Sequence, residues 1–128
     1  MTLAKGTPST ILSNKTAAAA GATTLTDCTT IDTDATVSVA LEVKVTYGSS
    51  ATLAGTLKIF ASHDDTNYDT DPVEEFTLPY TTNATKSQTF VITPGPRYMK
   101  AQIVNNETAG ANKDITAAYI YMHKQDVS

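Results

Sequence analysis

A chain of 128 residues has room for one hydrophobic core and not for two ordinary domains. With 41% hydrophobic and 17% charged residues it does not have the composition of a disordered chain. A net charge of −4 and the absence of any Lys/Arg run argue against a surface that tracks phosphates, so no nucleic-acid partner is expected.

Threonine makes up about a fifth of the chain, and β-branched residues favour strands over helices. Residues 1–22 are small and polar apart from Ile11 and Leu12. Gly21 and the threonines after it oppose a sustained helix across Ala17–Ala20. This segment is read as an extended N-terminal arm that adds one edge strand at most, and 23–128 as a single domain. The opening MTLAKGTPST has no apolar stretch of the kind a signal peptide needs, and the longest apolar run is far short of a membrane span.

The strongest pattern is VSVALEVKVTY at 37–47. Val37, Val39, Leu41, Val43, Val45 and Tyr47 alternate with Ser38, Ala40, Glu42, Lys44 and Thr46, as in a long half-buried strand. Further strands are expected at 56–62, 74–80, 88–93, 97–106 and 115–124, with Met99, Ala101 and Ile103 facing the core. Pro79 places the strand at 74–80 at an edge or at its end. The last strand is apolar on both faces: Ile115, Ala117, Tyr119 and Tyr121 on one, Ala118, Ile120 and Met122 on the other. Such a strand is either central and covered, or part of a subunit contact. The sum is an all-β, two-sheet antiparallel sandwich of seven to eight strands, jelly-roll or Ig-like, and the pattern leaves both topologies open.

The polar stretch SHDDTNYDTD at 62–71 offers two kinds of chemistry. Ser62, His63 and Asp64 spell a hydrolase triad, but neighbours on an extended chain point to opposite faces and cannot form a relay. Asp65, Asn67, Asp69 and Asp71 supply oxygens at the first, third, fifth and seventh positions of a calcium loop. Thr70 then stands where the sharp turn needs Gly, and Phe76 where the bidentate Glu belongs. No cofactor is expected, with calcium at those four residues as a minor alternative to turns capped by Asp and Asn. The carboxylates Asp64, Asp65, Asp69, Glu74 and Glu75 come without an aromatic platform, which argues against glycoside cleavage. Cys28, the single cysteine, cannot form an internal disulfide and is read as a buried strand residue. The three N-x-T sequons, at Asn14, Asn83 and Asn106, are expected by chance in so threonine-rich a chain. No enzymatic activity is expected.

Two stretches carry a resemblance. GTLKIFASHDDTNYDTDP at 55–72 and PGPRYMKAQIVNN at 94–106 are similar to a pattern in small virion proteins of tailed bacteriophages. There a strand runs into an S-x-D-x-x-N-[YW]-D loop, and a later Arg-Tyr strand ends in Asn. The matching residues here are Ser62, Asp64, Asn67, Tyr68 and Asp69, then Arg97, Tyr98 and Asn105. Gly is frequent after the loop's first Asp in such proteins, where this chain has Asp65. The resemblance implies a β-sandwich without catalytic residues that decorates or cements a capsid, or serves at the head-tail junction or the tail. Its expected partners are the major capsid protein or other virion proteins, its place the virion, assembled in a host cytoplasm, and its state a homo-oligomer such as a trimer. The expected contact residues are Ile11, Leu12, Tyr119, Ile120, Tyr121 and Met122. The alternative is a carbohydrate-binding sandwich module that uses its tyrosines, Tyr68 among them.

Overall fold

The computed structural model describes residues 3–5 and 7–127, with residues 3–5 described by backbone alone. Among the described residues there are nine strands: β1 (Leu3–Lys5), β2 (Ser9–Ala17), β3 (Ile31–Asp32), β4 (Thr36–Tyr47), β5 (Thr56–Ser62), β6 (Glu74–Thr77), β7 (Thr85–Ile92), β8 (Tyr98–Val104) and β9 (Ile115–Val127). A 3₁₀ turn, Leu25–Asp27, is capped by Thr24, whose hydroxyl accepts from the Asp27 N–H.

Two antiparallel sheets result. In the first, β9 lies between β4 and the paired segments β1 and β2, which lie end to end along it, and β7 closes the far side of β4. In the second, the order is β3-β8-β5-β6. With β1 and β2 taken as one interrupted lane, successive lanes alternate between sheets everywhere except at the β5–β6 hairpin. That order is the eight-lane jelly roll, and it decides between the two topologies left open by the sequence.

The core is the space between the sheets. Val39, Leu41, Val43, Val45 and Tyr47 of β4 face Leu57 and Ile59 of β5 and Met99, Ala101 and Ile103 of β8, all of them buried. Burial of one such aliphatic side chain contributes roughly 1.5–3 kcal/mol. Val37 departs from the expected alternation and is exposed, because the β4–β9 register shifts between Thr36 and Ser38.

The N-terminal segment adds an edge strand, as the sequence allowed, and that strand packs into the core of its own chain. Residues 9–17 pair with β9 of their own chain, and Ile11 and Leu12 are 2% and 1% exposed within the common core. The sequence hides this strand because it never alternates. Its register slips at three places, and Asn14 has a positive φ of 49°. A second slip explains the two apolar faces of β9. Tyr47 pairs with Ile115 while Thr46 pairs with Ala117, leaving Thr116 as an extra residue. The bulge sends Ile115 inward with Ala118 and Ile120, and leaves Ala117, Tyr119 and Tyr121 on the other face.

Candidate interaction surface and the 62–71 loop

The loop after β5 folds around Asp64. Its Oδ1 accepts from the N–H groups of Thr66 (2.9 Å) and Asn67 (2.8 Å), and its Oδ2 from the Asn67 amide at 3.0 Å. These bonds, the Asn67 backbone N–H first, hold the Asp64 carboxyl far below the ordinary carboxylate range. The Ser62 hydroxyl lies 2.7 Å from the Asn67 carbonyl and accepts from the Asp65 N–H at 3.0 Å. It makes no bond to His63, whose side chain is 87% exposed, so the triad order has no relay behind it.

Asp65 takes the left-handed conformation, φ 60°. Glycine accepts that conformation without strain and aspartate tolerates it, so Asp65 can stand at a position where the virion proteins that the loop resembles favour Gly. Its Oδ1 accepts from the hydroxyls of Tyr68 (2.6 Å) and Thr30 (2.7 Å), and these bonds lower its pKa. The Tyr68 phenol is pushed up to about 12, by desolvation first and by the bond to Asp65 second. Lys100 stands over the Tyr68 ring at 5.3 Å, so this tyrosine is braced rather than presented. Of the four residues expected to hold calcium, Asp65 has its Oδ1 engaged by Thr30 and Tyr68. Among the described residues no group of three or more His, Cys, Asp and Glu side chains is placed to hold a metal.

The two stretches that carry the resemblance meet in space. Strands β5 and β8 are hydrogen-bonded neighbours, and Ser62 is directly opposite Tyr98. Arg97 reaches Asp32 at 3.5 Å and Asp34 at 3.8 Å, and its carbonyl accepts from the Thr33 N–H, which ties the β7–β8 loop to the β3–β4 corner. Asn105 is buried and donates to the carbonyls of Ala17 and Lys113. The matched residues are therefore structural braces of the jelly roll.

A further buried polar group was not foreseen from sequence. Glu107 is 3% exposed, and its carboxylate accepts from the Thr52 N–H and hydroxyl and from the Leu53 N–H. The Thr52 backbone bond is the main cause of its lowered pKa. Nothing in the sequence marked Glu107 as buried or Thr52 as its partner. Glu107, Asp64, Asp65 and Asp32 all have depressed pKa values. A carboxyl depressed in the folded state stabilises above its unfolded pKa and loses that contribution as pH falls through the folded value. The melting temperature is expected to fall on acidification below about 4.5, where unperturbed Glu begins to protonate, and further below 3.8, the ordinary Asp value. A melting curve unchanged between pH 7 and pH 2 would contradict these bonds.

Cys28 is buried, and its thiol is pushed up to about 11 by desolvation. The sulfur accepts from the Ala101 N–H and lies 3.3 Å from the Thr29 carbonyl. The native protein is expected to leave a thiol reagent unreacted at pH 8 and to consume one equivalent after denaturation. Rapid native labelling would show that Cys28 is accessible.

The six expected contact residues separate by face. Ile11, Leu12 and Ile120 belong to the core of their own chain, which corrects their assignment to a subunit contact. Met122 is half-buried and packs against that core. Tyr119 and Tyr121 stand on the outer face of the first sheet, with parallel rings 6.1 Å apart and Lys44 over Tyr119 at 5.6 Å. Register places Glu42 opposite Tyr121, and Ala40 between His123 and Val91. A shallow cleft of 380 Å³ opens at the other end of the sandwich, lined by Thr46, Ser49, Asn83, Asn112, Asp114 and Thr116.

No protein-family model matches this chain, and no curated protein does. Among solved structures, one described as a Bacillus endospore appendage, from a novel family of disulfide-linked pili, aligns over 99% of this chain and 90% of its own. The identity is 16% and the TM-score 0.45. The strand order above establishes the jelly roll without it. Among the described residues, no helix is long and apolar enough to cross a membrane.

Proposed function

We propose that the protein is a non-enzymatic structural subunit of a tailed-phage virion, a decoration or cement protein that docks on the major capsid protein or its neighbours. The observation that carries this reading is the outer face of the first sheet. Tyr119 and Tyr121 stand there in a row on a rigid two-sheet frame, beside Ala40, Glu42 and Lys44. Half-exposed tyrosines on a fixed backbone give large contact area at small entropic cost, and such residues dominate protein interfaces. The resemblance of 55–72 and 94–106 to small virion proteins supplies the phage context.

The test is sedimentation of particles from cells producing the chain, alongside a Tyr119→Asp/Tyr121→Asp double variant. The wild type is expected to travel with the particles and the variant to remain at the top of the gradient with an unchanged melting temperature. Equal partition of both proteins would remove this face from the contact.

A further inference from the structure

Three of the four lanes at sheet edges are blunted. Strand β3 has two residues and β6 has four, and β2 carries three register shifts. These are the devices that keep strand edges from pairing with other chains. The fourth edge, β7, has none of them. It runs from Thr85 to Ile92 without Pro or Gly, pairs with β4 without a register shift, and carries one charge, Lys86.

The phase of its hydrogen bonds is fixed by the next rung. The Tyr47 N–H donates to the Ala84 carbonyl at 3.0 Å, so Ala84 and every second residue after it bond to β4. Thr85, Ser87, Thr89 and Val91 therefore turn their N–H and C=O groups to the open edge. Among the described residues β7 pairs with β4 alone. All four side chains are exposed, and Val91, at 69%, is the most exposed large apolar residue described.

We infer that β7 is an assembly edge that pairs antiparallel with β7 of a second copy, about a two-fold axis through Gln88. The hydrogen-bond phase and the residues of the strand select the register of that pair. An axis at Gln88 matches all four outward residues: Thr85 with the second copy's Val91, and Ser87 with its Thr89. A shift of one residue in the pairing would set inner against outer faces, and an axis at Thr89 would use only three of the four. At Gln88 the lone charge, Lys86, falls opposite the second copy's Phe90 rather than another lysine, so no like charges meet. The contact is isologous, as closed dimers require, and joins the first sheets of two copies into one continuous sheet. It rests on the reading of the chain as a self-assembling subunit only for the identity of its partner.

The experiment is sedimentation equilibrium of the intact chain with Gln88→Lys and Gln88→Glu variants. The wild type is expected at an even multiple of 13.5 kDa, and each variant alone at half the wild-type mass. Mixing the two variants in equal amounts is expected to restore the wild-type mass, because opposite charges then meet on the axis. Thr89→Pro removes an N–H that faces the open edge, so it should halve the mass while leaving the β4 ladder and the melting temperature intact. A wild type that stays at one chain mass, or variants that assemble as the wild type does, would overturn the inference. So would a monomeric wild type whose particle binding is lost in Thr89→Pro, since the edge would then take a strand of another protein. Mass doubling without particle association would sink the virion reading and leave this one standing.

Discussion

Replacing Ile120 with alanine is expected to lower the free energy of unfolding by about 2–5 kcal/mol, while Tyr121→Ala, one residue along the same strand, is expected to cost under about 1 kcal/mol. Ile120 has no exposed surface and sits in β9 between β4 and β2, within the common core. Tyr121 projects from the opposite face, half-exposed beside Tyr119. Urea unfolding followed by circular dichroism measures both. Similar losses for the two variants would mean that the inner and outer faces of β9 are wrongly assigned and that Tyr119 and Tyr121 do not form an outer contact face.

Gly48→Ala is expected to destabilise by about 1–3 kcal/mol through overpacking. Gly48 ends β4 and donates to the Asp114 carbonyl at 2.9 Å, while its own carbonyl accepts from Ala51 and Asn83. An added Cβ would run into the Asn112 carbonyl oxygen and come within 3.0 Å of that of Asp114, and both are backbone atoms that cannot swing aside. Gly95 makes the control. Nothing lies within 4 Å of a Cβ built there, so Gly95→Ala is expected to be neutral or to stabilise by up to about 1 kcal/mol through the unfolded chain. Thermal unfolding of the two variants compares them directly, and equal behaviour would contradict the close approach of the β4–β5 and β8–β9 loops.

Strands β4 and β8 were legible because they keep period two from Val39 to Tyr47 and from Tyr98 to Val104, and β5 because its apolar residues begin in alternation at Leu57 and Ile59 before both faces become buried. The start of β7 was not. Thr85–Gln88 is polar on both faces because it is an open edge, so the hydrophobic pattern begins only at Phe90. Strand β2 was read as an arm because bulges break its alternation, and β3 is too short to leave a pattern. In the loop, the Asx chemistry was visible but its centre was not. Asp64 organises the turn, and Asp65 is the residue held in the left-handed conformation. At the surface the apolar pairs of β9 were recognised, yet parity alone could not tell Tyr119 and Tyr121 from Ile120. The bulge at Thr116 decides which set faces out, and no sequence pattern announces it.

We propose that this jelly roll works by assembly on a larger particle. Electron microscopy of particles purified from cells that make the chain tests it most directly. A structural subunit predicts density of jelly-roll size at regular lattice positions, with the β9 face turned toward its neighbour. Particles that lack this density while the chain remains in the soluble fraction would contradict a structural role in the virion.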